Sequence, residues 1–145
     1  MNIPDQDILM KVIQWTSYAD DDLRLAKNTL ETMKEDCPYH LVAYHAQQCV
    51  EKYLKAYLVY SCIDFPYTRD IFQLMQLFGK EAKWMEKIQD AKDLTIYAVS
   101  ARYPEENDKV TKEEAYQAIS IANNVKLIIR IALLDNGVEI SSENT

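Results

Sequence analysis

An all-α fold, an up-and-down bundle of four long helices and one short helix, is what this sequence predicts. Three observations carry the prediction. Only 2 glycines and 4 prolines occur in 145 residues, too few turn formers for many short strands. Apolar residues recur at spacings of three and four over long stretches, the period of an amphipathic helix. Caps and breakers fall between those stretches, where helix ends are expected.

The first helix is expected from Asp7 to Met33, with Ile8, Val12, Trp15, Ala19, Leu23, Ala26, Leu30 and Met33 on one buried stripe. Its acidic run Asp20-Asp21-Asp22 reads as a solvated face, because neighbouring helical residues fan apart by about 100° each. At Asp36-Cys37-Pro38 the helix breaks and a second begins, Asp36 as its cap and Pro38 in its first turn. That helix runs to about Ser61. Residues 63–68 form a connector, and Thr68 is the expected cap of a short helix, Asp70 to Phe78, ended by Gly79 in a left-handed conformation. A fourth helix spans Lys83 to Ala101, with Trp84, Ile88, Ala91, Leu94 or Thr95, and Ala98 inward. Pro104 cannot extend it, and Glu105-Glu106-Asn107-Asp108 is a polar loop. Thr111-Lys112-Glu113-Glu114 is a capping box for the last helix. Its inner stripe is Ala115, Ala118, Ala122, Val125, Ile129 and Ala132, and Asn136-Gly137 ends it. Residues 1–137 are thus one domain, and 138–145 a flexible tail.

The charge of −7 and pI of about 4.8 oppose a broad phosphate-binding surface, which needs clustered Lys and Arg. A local basic pocket remains compatible with that balance. Cys37, Cys49 and Cys62 are odd in number and lack CxxC spacing, so they read as reduced thiols, and no metal or cofactor is expected. Met1-Asn2-Ile3-Pro4-Asp5 has neither a basic start nor a long apolar run, and no uninterrupted stretch approaches the roughly 18 apolar residues of a membrane span. A cytoplasmic protein without membrane association is expected.

The second helix carries the chemistry. On a helical wheel Ala46, Val50, Tyr53, Tyr57 and Tyr60 oppose Tyr44 as an apolar face, broadened by Cys49, Ala56, Leu54 and Leu58. Tyr44, Gln48, Glu51 and Lys55 share the remaining wedge, flanked by Gln47 and Lys52. Glu51 and Lys55 have the favourable i, i+4 order of an ion pair, contributing a few tenths of a kcal/mol if exposed. Two readings follow: a solvated face, or a wedge turned toward a groove or partner subunit. In the second, Gln amides offer the paired donor and acceptor that a nucleobase edge or a buried backbone requires.

The core Gln47-Gln48-Cys49-Val50-Glu51-Lys52-Tyr53-Leu54-Lys55-Ala56 resembles the second helix of the HEPN family (higher eukaryotes and prokaryotes nucleotide-binding). Ala19, Asp22, Leu23 and Ala26 are similar to its first helix, and Leu94, Tyr97 and Ala101-Arg102-Tyr103-Pro104 to the end of its fourth. The chain departs from it at Arg69-Asp70-Ile71, where the family often has His-Asp-Ile. A fixed cation there replaces a titrating imidazole.

The resemblance implies a helical bundle that binds a nucleotide-like ligand or RNA, commonly a homodimer, often associated with a small nucleotidyltransferase. Ribonuclease members carry an Arg followed after four to six residues by His, suited to moving protons at a 2′-hydroxyl while stabilising phosphate charge. Arg102 fits the first position, but Asn107, Asp108 and Lys109 occupy the second. A carboxylate at Asp108 is a conceivable base. His45 lies at the border of the wedge and reads as a polar contact, and Arg102 reads equally as a helix-end ion pair or a ligand contact. The candidate ligand- or partner-binding set is Tyr44, Gln47, Gln48, Glu51, Lys52, Lys55, Arg69 and Arg102. A nonhydrolytic binding module in a toxin–antitoxin-like pair is the first reading. The alternatives are a ribonuclease toxin with an altered catalytic motif and a dimeric scaffold without a small ligand.

Overall fold

The computed structural model describes residues 5–98 and 109–140, and its helices begin where the chain can satisfy their free N–H groups. In α1 (Gln6–Thr32) the Asp5 carboxylate accepts from the N–H of Asp7 at 2.9 Å. The second helix, α2 (Tyr39–Tyr60), has no side-chain cap. The Asp36 cap expected there is replaced by backbone bonding: the Tyr39 N–H donates to Cys37 O, and those of Leu41 and Val42 to Pro38 O. The short α3 (Ile71–Met75) is capped by Asp70 rather than Thr68 and ends before Gly79, which does not take up a left-handed conformation. Thr68 Oγ1 instead accepts from the N–H of Asp70 at 3.1 Å.

The fourth element is a correction of another kind. Lys83–Tyr97 winds as a 3-10 helix with a break at Ile88 (φ −126°, ψ 27°). Ile88, Ala91, Leu94 and Tyr97 are its buried residues, so the three-residue spacing that suits a 3-10 turn keeps one face inward. Its expected end at Ala101, the seal at Tyr103-Pro104 and the polar loop after it lie outside the described residues. The last helix, α4 (Lys112–Asp135), carries the expected capping box of Thr111 and Glu114. All six residues of its expected inner stripe are buried. Among the described residues there is no strand, and the helices pack as a bundle.

The second helix is the hub. It packs against α1, α3, α4 and the 3-10 helix, and every residue from Ala46 to Leu58 except Lys52 is buried. Alanines at the crossings, Ala19 and Ala26 on α1 and Ala118 and Ala122 on α4, allow backbones to approach closely. Among the described helices only α4 is long and apolar enough to cross a bilayer, and 44% of that stretch is packed inside the bundle.

The acidic run is not a solvated face. Only Asp21 is exposed, paired with Arg24 at 2.6 Å. Asp20 accepts from the Tyr53 hydroxyl and from Arg130 Nη1 (3.0 Å), and pairs with Lys126 at 3.3 Å, tying α1 to α2 and α4. Asp22 holds His45 Nδ1 at 2.8 Å and Lys52 Nζ at 2.5 Å. A wheel places these carboxylates correctly around α1 but does not show that two neighbouring helices lean over that edge.

Two helix ends share one design. After α4 the N–H of Gly137 donates to Leu134 O and that of Val138 to Leu133 O, with Gly137 at φ 85°. After α2 the N–H groups of Cys62 and Ile63 donate to Val59 O and Leu58 O, with Cys62 at φ 58°. Both are left-handed terminations that return the chain to the core. Beyond Gly137, Val138 is buried, and Arg130 Nη2 donates to Ile140 O at 3.2 Å.

Glycine relieves the Cβ clash that Cys62 bears at positive φ, offset in part by a more flexible unfolded chain. Cys62→Gly is therefore expected to stabilise the protein by up to about 1 kcal/mol, read from the midpoint of urea unfolding. A pH dependence follows from Tyr53. Burial first, then the hydrogen bond to Asp20, pushes its phenol well above the ordinary value of 10.0. The unfolded chain therefore releases this proton first, so stability is intact below pH 10 and falls as pH rises beyond it. Urea titrations across that range should show a shallower decline for Tyr53→Phe than for the unsubstituted chain.

Candidate functional site

On α2 the residues 44, 47, 48, 51 and 55 occupy one edge of the helix. A helix on its own would leave that edge in water. Here Trp15 of α1 and the connector after α2, carrying Phe65, Tyr67 and Arg69, lie over it. Gln47 is 0% exposed, Glu51 4% and Lys55 5%, and Gln48 is buried with them. Of the two readings of this wedge, the solvated face does not hold for Gln47, Gln48, Glu51 and Lys55, which form a buried polar network.

Its bonds are mutual. Lys55 Nζ donates to Glu51 Oε2 at 2.9 Å. The amides of Gln47 and Gln48 both donate to Glu51 Oε1, each at 3.4 Å. Gln48 Nε2 also donates to Gln47 Oε1 at 2.7 Å, and Gln47 Nε2 to the backbone carbonyl of Arg69 at 2.9 Å. The Lys55 ammonium lies 5.5, 5.7 and 5.9 Å from the ring centres of Trp15, Phe65 and Tyr67, near enough for cation–π attraction. Taking a carboxylate and an ammonium out of water costs several kcal/mol per ion, offset only when the remaining donors and acceptors are also satisfied. The two glutamines and the three rings supply that compensation.

Tyr44 and Arg69 form the lip of this network. Arg69 Nη1 donates to Tyr44 Oη at 3.0 Å and, more weakly, to Ala98 O at 3.5 Å, and its Cζ lies 6.0 Å from the Tyr44 ring centre. Tyr44 is the largest influence on the guanidinium and raises its pKa; burial opposes it, Glu51 adds to it, and the net direction is upward, so this side chain stays a cation. Arg69 is exposed, and among the described residues Nε and Nη2 have no hydrogen-bond partner. Tyr67, two residues away, is 96% exposed.

The candidate set therefore divides. Gln47, Gln48, Glu51 and Lys55 converge inside, and Tyr44 and Arg69 meet at the surface above them. Lys52 belongs to a separate cluster with Asp22 and His45, where the His45 ring stands edge-on to Tyr44 at 5.3 Å. Arg102 lies outside the described residues, as do Asn107 and Asp108, while Lys109 is exposed. Trp15, Phe65, Tyr67 and Asp22 were not among the expected site residues. Only the aromatic pair flanking Pro66 in a short connector hints at them in the sequence. Cys49 is no nucleophile: burial, then Asp20 and Asp22, push its thiol far above the thiolate range. Among the described residues no three His, Cys, Asp or Glu side chains group to hold a metal.

A HEPN domain model matches residues 12–132, a span that begins within α1, ends within α4 and includes every candidate residue. The chain belongs to the HEPN family. This HEPN chain is also similar to a protein of Methanocaldococcus jannaschii named "Putative toxin MJ1304". The two are 32% identical over 130 residues, covering 77% of this chain and 81% of the relative. No solved structure matches the chain significantly.

Removing one member of the buried pair strands the other. Lys55→Met is expected to lower unfolding stability by about 3–5 kcal/mol, whereas the double change Glu51→Leu with Lys55→Met recovers a large part of that loss. Urea unfolding of the three proteins checks this, and a double variant no more stable than Lys55→Met would contradict it.

Proposed function

We propose that this HEPN chain binds a nucleotide-like, phosphate-bearing ligand without hydrolysing it, at the lip formed by Tyr44, Tyr67 and Arg69. The observation that carries the reading is Arg69. One nitrogen of its guanidinium is fixed on Tyr44, and the other donors have no partner among the described residues. An arginine fork fits two phosphate oxygens at once. The exposed Tyr67 ring beside it offers a face on which a base can stack. Arg102 is the second cation proposed for phosphate. Nonhydrolytic binding is supported by the sequence itself, since no histidine occupies positions 107–109.

The toxin in the name of the Methanocaldococcus jannaschii relative supports a two-component pair. In it this chain acts as a cytoplasmic homodimer against an antitoxin-type partner, for which a small nucleotidyltransferase is the proposed identity. The same name favours the alternative, an RNA-cleaving toxin with altered catalytic residues. A dimeric scaffold without a small ligand is the third reading.

Calorimetry with AMP, ADP and ATP tests the first. Binding is expected, weakened on the order of ten- to a hundredfold in Arg69→Ala by loss of a charge-assisted contact. A dimer that gives no heat with any nucleotide would favour the scaffold. Purified protein incubated with RNA should leave it intact. Cleavage that Arg102→Ala abolishes would establish the ribonuclease instead.

A further inference from the structure

The connector that crosses the buried network is fastened to α2 at two places. At one, the Lys55 ammonium sits beneath the rings of Phe65 and Tyr67. At the other, the Gln47 side chain reaches the backbone of Arg69. Gln47 is completely buried, so it cannot meet a ligand arriving from solvent. Its amide orientation follows from its neighbours. The nitrogen faces two acceptors, Glu51 Oε1 and Arg69 O, and the oxygen faces a donor, Gln48 Nε2. Reversed, it would set oxygen against oxygen twice.

Tyr44 and Gln47 stand three positions apart on α2 and so share one face of a single turn. From that turn Gln47 holds the carbonyl of Arg69, and Tyr44 holds its guanidinium. The cation is pinned at both ends to one rigid element, while Nε and Nη2 have no partner among the described residues. A long side chain tethered in this way loses less freedom when an anion arrives.

We propose that Gln47 is a positioning residue, whose buried amide fixes the Arg69 backbone so that the guanidinium presents its open donors to a phosphate-bearing ligand. This assignment rests on the binding reading above. It gives the Gln-Gln-x-x-Glu-Lys-x-Leu-Lys segment a specific task. Glu51, Lys55 and Gln48 orient Gln47, Gln47 orients Arg69, and Arg69 meets the ligand.

A double-mutant cycle with ADP as the probe tests it. Gln47→Met fills the same space without the donor, and Arg69→Ala keeps the backbone carbonyl that Gln47 grips. In the otherwise unchanged chain, Gln47→Met is expected to raise the Kd for ADP on the order of tenfold, because the carbonyl loses its partner. In the Arg69→Ala background the same change should leave Kd unaltered while still lowering the melting temperature. A purely structural role would weaken binding equally in both backgrounds, and that result overturns the proposal.

Tryptic cleavage after Arg69 gives a readout independent of any ligand. It should accelerate in Gln47→Met beyond its rate in Val125→Ala, a core change in α4 serving as the stability-matched control. Equal rates would overturn the positioning role. Absence of ADP binding by the unsubstituted protein removes the binding reading alone, leaving the cleavage rates to decide whether Gln47 orders Arg69. If Gln47→Met does not fold, Gln47→Asn keeps the amide but shortens its reach, and the same comparisons apply to it.

Discussion

Glu51 and Lys55 face each other inside a helix that is buried nearly all the way round, and much of the architecture of this edge answers to that fact. A carboxylate in such a place needs donors, and an ammonium needs acceptors or ring faces. Gln47 and Gln48 supply the donors from the same helix. Trp15 comes from α1, and Phe65 and Tyr67 come from a connector that must fold back across α2 to reach Lys55. The path of that connector then decides where Arg69 emerges. A single ion pair thereby links the packing of the bundle to the position of its most accessible cation at this edge.

The parts of the fold that were legible in the sequence depend on local rules. The capping box at Thr111 and Glu114 and the glycine stop at Gly137 are decided within one turn of helix. The alanine-rich stripe of α4 needs only the helical period. What was not legible depends on neighbours. The wheel grouped Gln48, Glu51 and Lys55 correctly but left open whether they face water or a partner, because a wheel carries no information about a connector lying on top. Asp20 and Asp22 were assigned to solvent for the same reason. Lys83–Tyr97 has apolar spacing compatible with either winding, and packing selected the tighter one. Cys62 shows the opposite limit, since a residue without glycine's freedom occupies the left-handed position that glycine usually fills.

For the candidate site the sequence identified the residues better than their tasks. Six of the eight candidates lie on α2, and four of those bond mainly to one another. The residue that departs from the family pattern, Arg69 where an imidazole is often found, keeps two guanidinium nitrogens without a hydrogen-bond partner among the described residues. Replacing a group that titrates near neutrality by one that stays charged suits a permanent anion contact better than proton transfer. Arg69 and the lack of histidine after Arg102 therefore point the same way.

The closed bonding among Gln47, Gln48, Glu51 and Lys55 also bears on how such a segment is inherited. Each side chain satisfies a group that would otherwise be orphaned in a dry interior, so the first step toward any different set is penalised before the second can compensate. Descendants that drift freely on the exposed surfaces of α1 and α4 would keep these four together or exchange them together. A string of polar letters can then remain recognisable across distant lineages because its members satisfy one another, whatever the surface above them does.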